Sequence, residues 1–113
     1  MLTVEKLKEY GADTEDGLGR CMGNEALYLR LVSTVADQPD FDRMNDSIAG
    51  GDLKSAFEAA HALKGVLGNL SLTPLYEKVC EITELLRART ETDYSPLLEE
   101  IASLREGLKN LAE

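Results

Sequence analysis

The sequence predicts an all-α fold, an antiparallel up-down four-helix bundle with short extra helices at its N-terminus. Three observations lead to this prediction. Apolar residues recur at helical spacing along most of the chain, and no segment shows the apolar-polar alternation of a half-buried strand. Glycines, prolines and capping residues divide the chain into segments of helix length. Amphipathic helices joined by short polar breaks are typical of antiparallel bundles.

The N-terminal part of the chain is predicted to form short helices. Thr3 is suited to cap a first helix that ends at Gly11, and residues 14–20 form a further turn or two. Asn24 caps a helix of about three or four turns, which Pro39 terminates. The apolar stripe of that helix consists of Leu27, Leu31, Val32 and Val35.

The C-terminal part is predicted to contain four further helices. Their expected ranges are residues 41–49, 53–70, 74–89 and 96–111. Gly50-Gly51 ends the first of these helices, and Asp52 caps the second. Pro74 and Pro96 suit the first turns of the last two, because the missing N–H of proline costs nothing there. We therefore expect the bundle to lie within one domain that spans residues 1–113.

Length, charge and cysteine content exclude several classes of protein. A chain of 113 residues has room for one modest domain and none for an ATP-binding kinase domain beside it. The formal net charge of −9 disfavours nucleic acid and anionic membranes as partners. No apolar run approaches the ~18 residues of a membrane span, and the N-terminus lacks a signal-peptide pattern, so we expect a cytoplasmic protein. Cys21 and Cys80 are expected to be packed, reduced thiols.

The one histidine, His61, lies in the middle of the predicted helix 53–70. At roughly 100° per residue, His61 points away from the apolar stripe of this helix. That stripe includes Leu53, Ala56, Ala60, Leu63, Leu67 and Leu70. The residues predicted to lie on the same side as His61 are Lys54, Phe57, Glu58, Lys64, Gly65, Gly68, Asn69 and Leu72. The pattern therefore predicts an exposed imidazole.

Two glycines on this face need an explanation, since glycine in a helix interior costs about 0.8–1.0 kcal/mol relative to alanine. The neighbouring helices are expected on the opposite face, so we attribute Gly65 and Gly68 to the close approach of an external partner. An imidazole that faces water is largely unprotonated near neutral pH and is then a competent nucleophile. Lys64 is placed to hold a phosphoryl oxygen on a phosphorylated His61, and Glu58 is placed to orient the ring.

Residues 60–72, AHALKGVLGNLSL, resemble the signature of histidine-containing phosphotransfer (HPt) domains, in which Lys and Gly follow a His at +3 and +4. The stretch DGLGRCMGNEALYLRLV is similar to the segment before the second helix of that family, so the resemblance spans nearly the whole chain. The sequence departs from the family pattern at Leu67, Ser71 and Leu72, where a small residue, Gly and Ala are common. Leu67 is expected on the core side, and Leu72 on the docking side.

The resemblance implies a four-helix bundle that passes phosphoryl groups between aspartates of response-regulator receiver domains. It implies that His61 is the phosphoacceptor, that Lys64 stabilises the phosphoryl group, and that Gly65 provides clearance for the receiver. The remaining candidates for docking are Gly68, Asn69, Phe57, Lys54, Glu58 and Leu72. The expected partners are receiver domains and a hybrid histidine kinase. No cofactor is expected on this chain, since the Mg²⁺ belongs to the receiver, and a monomer is expected.

Two alternatives to the phosphocarrier remain open at this point. In the first, the bundle docks a receiver or a kinase without carrying phosphate. In the second, the bundle is purely structural, and replacing Gly65 or Gly68 with alanine stabilises it at no functional cost. A metal centre is disfavoured because one histidine and two distant cysteines have no recognisable ligand spacing. A serine-histidine-aspartate triad is not supported by any serine placed in a strained turn near His61.

Overall fold

The computed structural model describes all residues from 1 to 113 and contains α-helices and one short 3-10 helix, with no strand. The α-helices are α1 (Val4–Tyr10), α2 (Thr14–Arg20), α3 (Glu25–Ser33), α4 (Asp40–Ala49), α5 (Leu53–Asn69), α6 (Thr73–Arg87) and α7 (Ser95–Leu111). The 3-10 helix spans Val35–Asp37. The predicted all-α class is confirmed, and the ends of the four C-terminal helices agree with the predicted ranges to within two residues.

The predicted N-caps are present as side-chain hydrogen bonds to the first turns. The Thr3 hydroxyl accepts from the N–H of Lys6 at 3.1 Å, and the Asn24 amide oxygen accepts from the N–H of Leu27 at 3.0 Å. The Asp52 carboxylate accepts from the N–H of Ser55 at 3.1 Å. Each cap satisfies a backbone donor that has no partner inside the helix, which is why these residue types mark helix starts.

The helix predicted to run from Asn24 towards Asp37 is shorter than expected. It ends at Ser33, and the chain continues through the 3-10 helix Val35–Asp37. The hydroxyls of Ser33 and Thr34 donate to the carbonyls of Arg30 and Leu31, at 2.6 and 2.7 Å. Such local bonds compete with the regular helical ladder, so two adjacent hydroxyl residues favour termination here.

Helices α4 to α7 form the antiparallel bundle, in which each helix packs against the next one along the chain. Helix α5 lies between α4 and α6 and buries Ala56, Ala59, Ala60, Leu63 and Leu67. Alanine at three of these positions keeps that side of the helix narrow, so neighbouring helices approach closely. Arg105 of α7 links back to α4, because its guanidinium lies 4.7 Å from the centre of the Phe41 ring and 3.1 Å from the Asp42 carboxylate.

The N-terminal helices attach to the bundle through two tyrosines. The Tyr10 hydroxyl donates to the carbonyl of Leu104 at 2.8 Å and ties α1 to α7. The buried Tyr28 hydroxyl donates to the carbonyl of Leu70 at 3.0 Å and ties α3 to the end of α5. Gly17 of α2 packs on the Tyr28 ring, where a Cβ would lie only 2.5 Å from Cε1. Helix α2 is thereby placed beside the connection between α5 and α6.

The cysteines are free thiols: Cys21 is buried and Cys80 is half-buried. None of the helices combines the length and the hydropathy that a membrane span requires.

Candidate functional site

His61 lies at the middle of α5 with its side chain exposed to solvent, as its position on the helical face predicted. Ala60 and Leu63 belong to the apolar stripe of α5 and are buried. The imidazole therefore projects from the opposite side of the helix. No side chain or backbone group of the protein forms a hydrogen bond or an ion pair with the ring nitrogens. The ring nitrogens are therefore not engaged by any group of the protein itself.

A groove of about 590 Å³ opens beside His61 between α2, α5 and α6. Its lining residues are Asp13, Asp16, Arg20, His61, Lys64, Gly65, Gly68, Asn69, Ser71, Thr73, Tyr76 and Glu77. Most of the lining residues have polar or charged side chains, and the groove brings together four of the residues that the sequence placed with His61: Lys64, Gly65, Gly68 and Asn69. An open groove with many charged side chains suits a protein surface or a charged group better than an apolar small molecule.

Lys64 follows His61 by one turn and is half-buried at the groove. Its ammonium group takes part in no ion pair, whereas the side chains of Arg20, Arg43 and Lys78 are all paired with carboxylates. An unpaired ammonium beside an exposed imidazole provides a positive charge for an anion that is attached to, or approaches, that ring.

The two glycines on this face differ from each other. A Cβ built on Gly65 would meet no atom within 4 Å, so this position is open to the outside, as the prediction of external approach requires. A Cβ on Gly68 would lie 3.1 Å from Cε1 of Tyr76, on α6. The attribution of Gly68 to an external partner alone is therefore wrong, because the half-buried Tyr76 ring already occupies the space beside it.

On the other side of His61, one turn earlier, the ring of Phe57 stacks on the imidazole. The ring centroids are 5.7 Å apart, and the planes are inclined by 23°. The guanidinium carbons of Arg87 and Arg89 lie 5.0 and 5.7 Å from the centre of the Phe57 ring. Phe57 is half-buried and is held between the imidazole and two cations, which the sequence pattern did not predict.

Glu58 does not orient the imidazole. Its carboxylate is paired with the Arg43 guanidinium of α4 at 3.0 Å, so this expectation was wrong. An i, i+3 spacing allows contact along a helix, but the cation on the neighbouring helix attracts the carboxylate instead. Contact with the ring is made by Phe57, four residues before His61.

Leu72 is not on the docking side. Helix α5 ends at Asn69, and Ser71 adopts a left-handed conformation with φ of 54°, which turns the chain inwards. Leu72 is consequently fully buried in the core and unavailable to a partner. Leu67 is buried as predicted. Lys54 is exposed in the first turn of α5, outside the groove.

Sequence reasoning missed the contribution of α2 to the groove. The Asp16 carboxylate accepts hydrogen bonds from the Ser71 hydroxyl and from Nε of Arg20, the latter at 2.9 Å. These hydrogen bonds, first that of Ser71 and then that of Arg20, hold the pKa of the Asp16 carboxyl below its ordinary value. The i, i+4 spacing of Asp16 and Arg20 signals an ion pair in the sequence, but only the fold places that pair beside the groove.

A model of one protein family matches most of the chain. The family model described as Hpt domain matches residues 31–113, well over half of the chain. The matched range includes α4 to α7 and begins within α3, so the expected resemblance over nearly the whole chain is supported from residue 31 onwards and not over α1 and α2. Comparison with curated proteins and with solved structures gave no significant match.

Proposed function

Because the chain belongs to the Hpt domain family, we propose that His61 is its phosphoacceptor. Hpt domains take part in histidine phosphotransfer in phosphorelays, interact with receiver domains, and have no kinase or ATP-binding site. The specific proposal is that His61 accepts a phosphoryl group from the aspartyl phosphate of one response-regulator receiver and passes it to the aspartate of another. Hybrid histidine kinases contain such receiver domains and are proposed as partners for that reason.

One observation carries this proposal: an exposed imidazole without internal hydrogen bonds shares a groove with an unpaired ammonium group and an open stretch of helix surface. A phosphoacceptor needs a nucleophilic nitrogen that the donor can reach. It also needs positive charge where the phosphoryl oxygens come to rest. His61 and Lys64 supply these two features, and Gly65 leaves the approach free of side chains.

In the proposed transfer, the lone pair of an imidazole nitrogen forms a bond to phosphorus. The bond between phosphorus and the aspartate oxygen of the receiver breaks, and its electron pair returns to the aspartate as a carboxylate. The reverse reaction at a second receiver releases the imidazole. Phosphoryl transfer has a loose transition state, so catalysis depends mainly on alignment and on charge stabilisation.

Within this scheme, the residues of the chain have separate tasks. Lys64 donates a charge-assisted hydrogen bond to a phosphoryl oxygen. The stacked ring of Phe57 restrains the imidazole, so that less rotational freedom is lost on reaching the transition state. Gly65, Gly68 and Asn69 form the helix surface on which the receiver docks. The Mg²⁺ that assists the reaction is expected on the receiver.

The test is labelling by a phosphorylated receiver. The purified protein is incubated with ³²P-phosphorylated receiver domains encoded by the same genome, and the acid lability and base stability of the bound phosphate are determined. We expect label on the wild type that chases onto a second receiver, and none on His61→Gln of unchanged helicity by circular dichroism. Labelling of His61→Gln would contradict the assignment of the acceptor. A folded wild type that stays unlabelled by every receiver would favour a docking module without phosphate.

We further propose that residues 1–113 form one monomeric domain that acts in the cytoplasm. The hydrogen bonds of Tyr10 and Tyr28 that attach α1 and α3 to the bundle support a single domain. The large apolar residues that remain exposed are few and are Met1, Met22 and Leu31. A chain that has buried its apolar stripes in this way retains little surface for stable self-association. Sedimentation equilibrium tests this part of the proposal.

A further inference from the structure

We propose that α2 forms a second wall of the receiver-binding groove and that Arg20 is a specificity-determining contact to the receiver. This inference rests on the proposed function, because it concerns the partner of the same site. The receiver group that Arg20 is suited to bind is a carboxylate on the surface close to the receiver's phosphorylated aspartate. The proposal rests on the rigid placement of α2, the free donors of Arg20, and the position of α2 outside the family match.

Helix α2 is held firmly against the end of α5. The N–H of Asp13 donates to the carbonyl of Ser71 at 2.9 Å, and the Ser71 hydroxyl donates to the Asp16 carboxylate. Gly17 packs against the ring of the buried Tyr28, whose hydroxyl donates to the carbonyl of Leu70, directly after α5. These contacts place α2 in a defined position relative to the docking surface, so a side chain on it can contribute to recognition without a large ordering cost.

Arg20 presents unused donors to the groove. Its Nε donates to Asp16, while its terminal nitrogens, Nη1 and Nη2, form no hydrogen bond within the protein. The side chain is 54% exposed and lines the same groove as His61 and Lys64. The hydrogen bond from Nε to Asp16 leaves the terminal N–H groups of the guanidinium free, and these match the geometry of a carboxylate.

The groove carries charges of both signs. Its carboxylates are those of Asp13, Asp16 and Glu77, and its cations are Arg20 from α2 and Lys64 from α5. Because the chain carries a net charge of −9, an anionic surface of the receiver is repelled by most of the chain, and Arg20 and Lys64 are the groups in the groove that attract it. Two cations on two walls orient an anionic surface more narrowly than Lys64 alone.

The position of α2 before the matched range explains why a contact made by Arg20 distinguishes between receivers. The matched family range begins at residue 31, after α2 has ended. The floor of the groove, with His61, Lys64 and Gly65, therefore lies within the matched range, and the wall with Arg20 lies before it, in a stretch over which the match does not extend. A contact made by the additional wall is suited to distinguish one receiver from another that has the same phosphorylation chemistry.

The experiment separates docking from acceptor chemistry by using two phosphodonors. Phosphoramidate is small and labels an accessible histidine with release of ammonia, so it requires no docking. A phosphorylated receiver does require docking. We compare Arg20→Ala with Arg30→Ala, a matched control that removes an exposed arginine of α3 outside the groove. Calorimetric titration with the unphosphorylated receiver measures affinity independently of any transfer.

We expect Arg20→Ala to be labelled by phosphoramidate at the wild-type rate. We expect its affinity for the cognate receiver, and the kcat/KM of transfer from it, to fall about tenfold, which corresponds to ~1.4 kcal/mol. The loss arises mainly in KM and diminishes at high salt, because the contact is ionic. Arg30→Ala behaves as the wild type, and Arg20→Lys recovers part of the affinity, since lysine keeps the charge without the bidentate fork.

Wild-type affinity of Arg20→Ala for every receiver would overturn the proposal. An equal loss with phosphoramidate and with the receiver would also overturn it, because Arg20 would then act on the acceptor chemistry. Failure of the proposed function gives a different result. In that case no receiver labels the wild type, although phosphoramidate still labels its exposed His61, and the calorimetric comparison decides separately whether Arg20 contacts a receiver.

Discussion

The two sides of His61 along α5 differ in what their side chains do. On the N-terminal side, Phe57 stacks on the imidazole and is flanked by two guanidinium groups, and Glu58 is paired with Arg43. On the C-terminal side, Lys64 takes part in no ion pair, and Gly65 has open space around it. The side chains on the N-terminal side are engaged with other residues of the protein. The C-terminal side presents an ammonium group without an ion pair and helix surface that no side chain covers.

This difference shows how one helix combines a restrained imidazole with open access to it. A side chain that stacks on the imidazole limits its motion but also covers one of its faces. A side chain removed by glycine exposes the helix but weakens it. Placing restraint on one side and access on the other avoids a conflict between the two, and the buried alanines and leucines of α5 keep the helix anchored in the bundle.

The largest effect is expected from a separate replacement of one lysine on each side of His61 along α5. Lys64→Ala is expected to slow transfer to and from receivers by about 10- to 100-fold, since a charge-assisted hydrogen bond contributes about 1.5–3 kcal/mol. Lys54→Ala, on the same helix but outside the groove, serves as the matched control and is expected to change the rate little. Rapid-quench kinetics with a labelled receiver measures both variants. Equal losses in the two would show that only the overall charge of α5 matters.

Replacing the stacked ring tests the restrained side. Phe57→Leu keeps an apolar side chain but removes the stack, which is worth about 0.5–1.5 kcal/mol, so transfer is expected to slow about 2- to 10-fold. The NMR signals of the His61 ring protons should move downfield as the ring-current effect of Phe57 is lost. Phe57→Tyr retains the stack and should restore both properties. A slower transfer with unchanged imidazole signals would assign Phe57 to docking instead of positioning.

The smallest expected effect concerns the two glycines. Gly65→Ala should raise the free energy of unfolding by about 0.4–1 kcal/mol, because its Cβ enters open space. Gly68→Ala should gain less, since its Cβ lies 3.1 Å from the Tyr76 ring. Urea denaturation measures the free energy of unfolding of both variants. In a Tyr76→Ala background, Gly68→Ala should stabilise the protein as much as Gly65→Ala does. Equal stabilisation by the two single substitutions would show that the Tyr76 ring moves aside without a loss of stability.

The bundle was largely predictable because its signals are local. Caps at Thr3, Asn24 and Asp52 and prolines at the starts of α6 and α7 act within one turn of the chain, and the apolar stripe of α5 follows from helical geometry. The end of α3 was mispredicted because the hydroxyls of Ser33 and Thr34 compete with the helical ladder at that point.

The surroundings of His61 were only partly predictable. Spacing along one helix correctly placed Lys64, Gly65 and Asn69 at the groove, because their relation to His61 needs no tertiary information. Leu72 was misplaced because the helical wheel was extended past Asn69, where the left-handed Ser71 ends the periodicity. Glu58 was misassigned because its partner, Arg43, lies on another helix.

Local sequence patterns are sufficient to specify the helical fold, the exposure of His61 and the face it shares with Lys64 and Gly65, since all of these follow from positions a few residues apart. Helix packing is what places Tyr76 beside Gly68, Arg87 and Arg89 around Phe57, and Arg20 of α2 at the groove. These contacts join residues that are distant in the chain. Their formation depends on how the helices pack, which local periodicity does not specify.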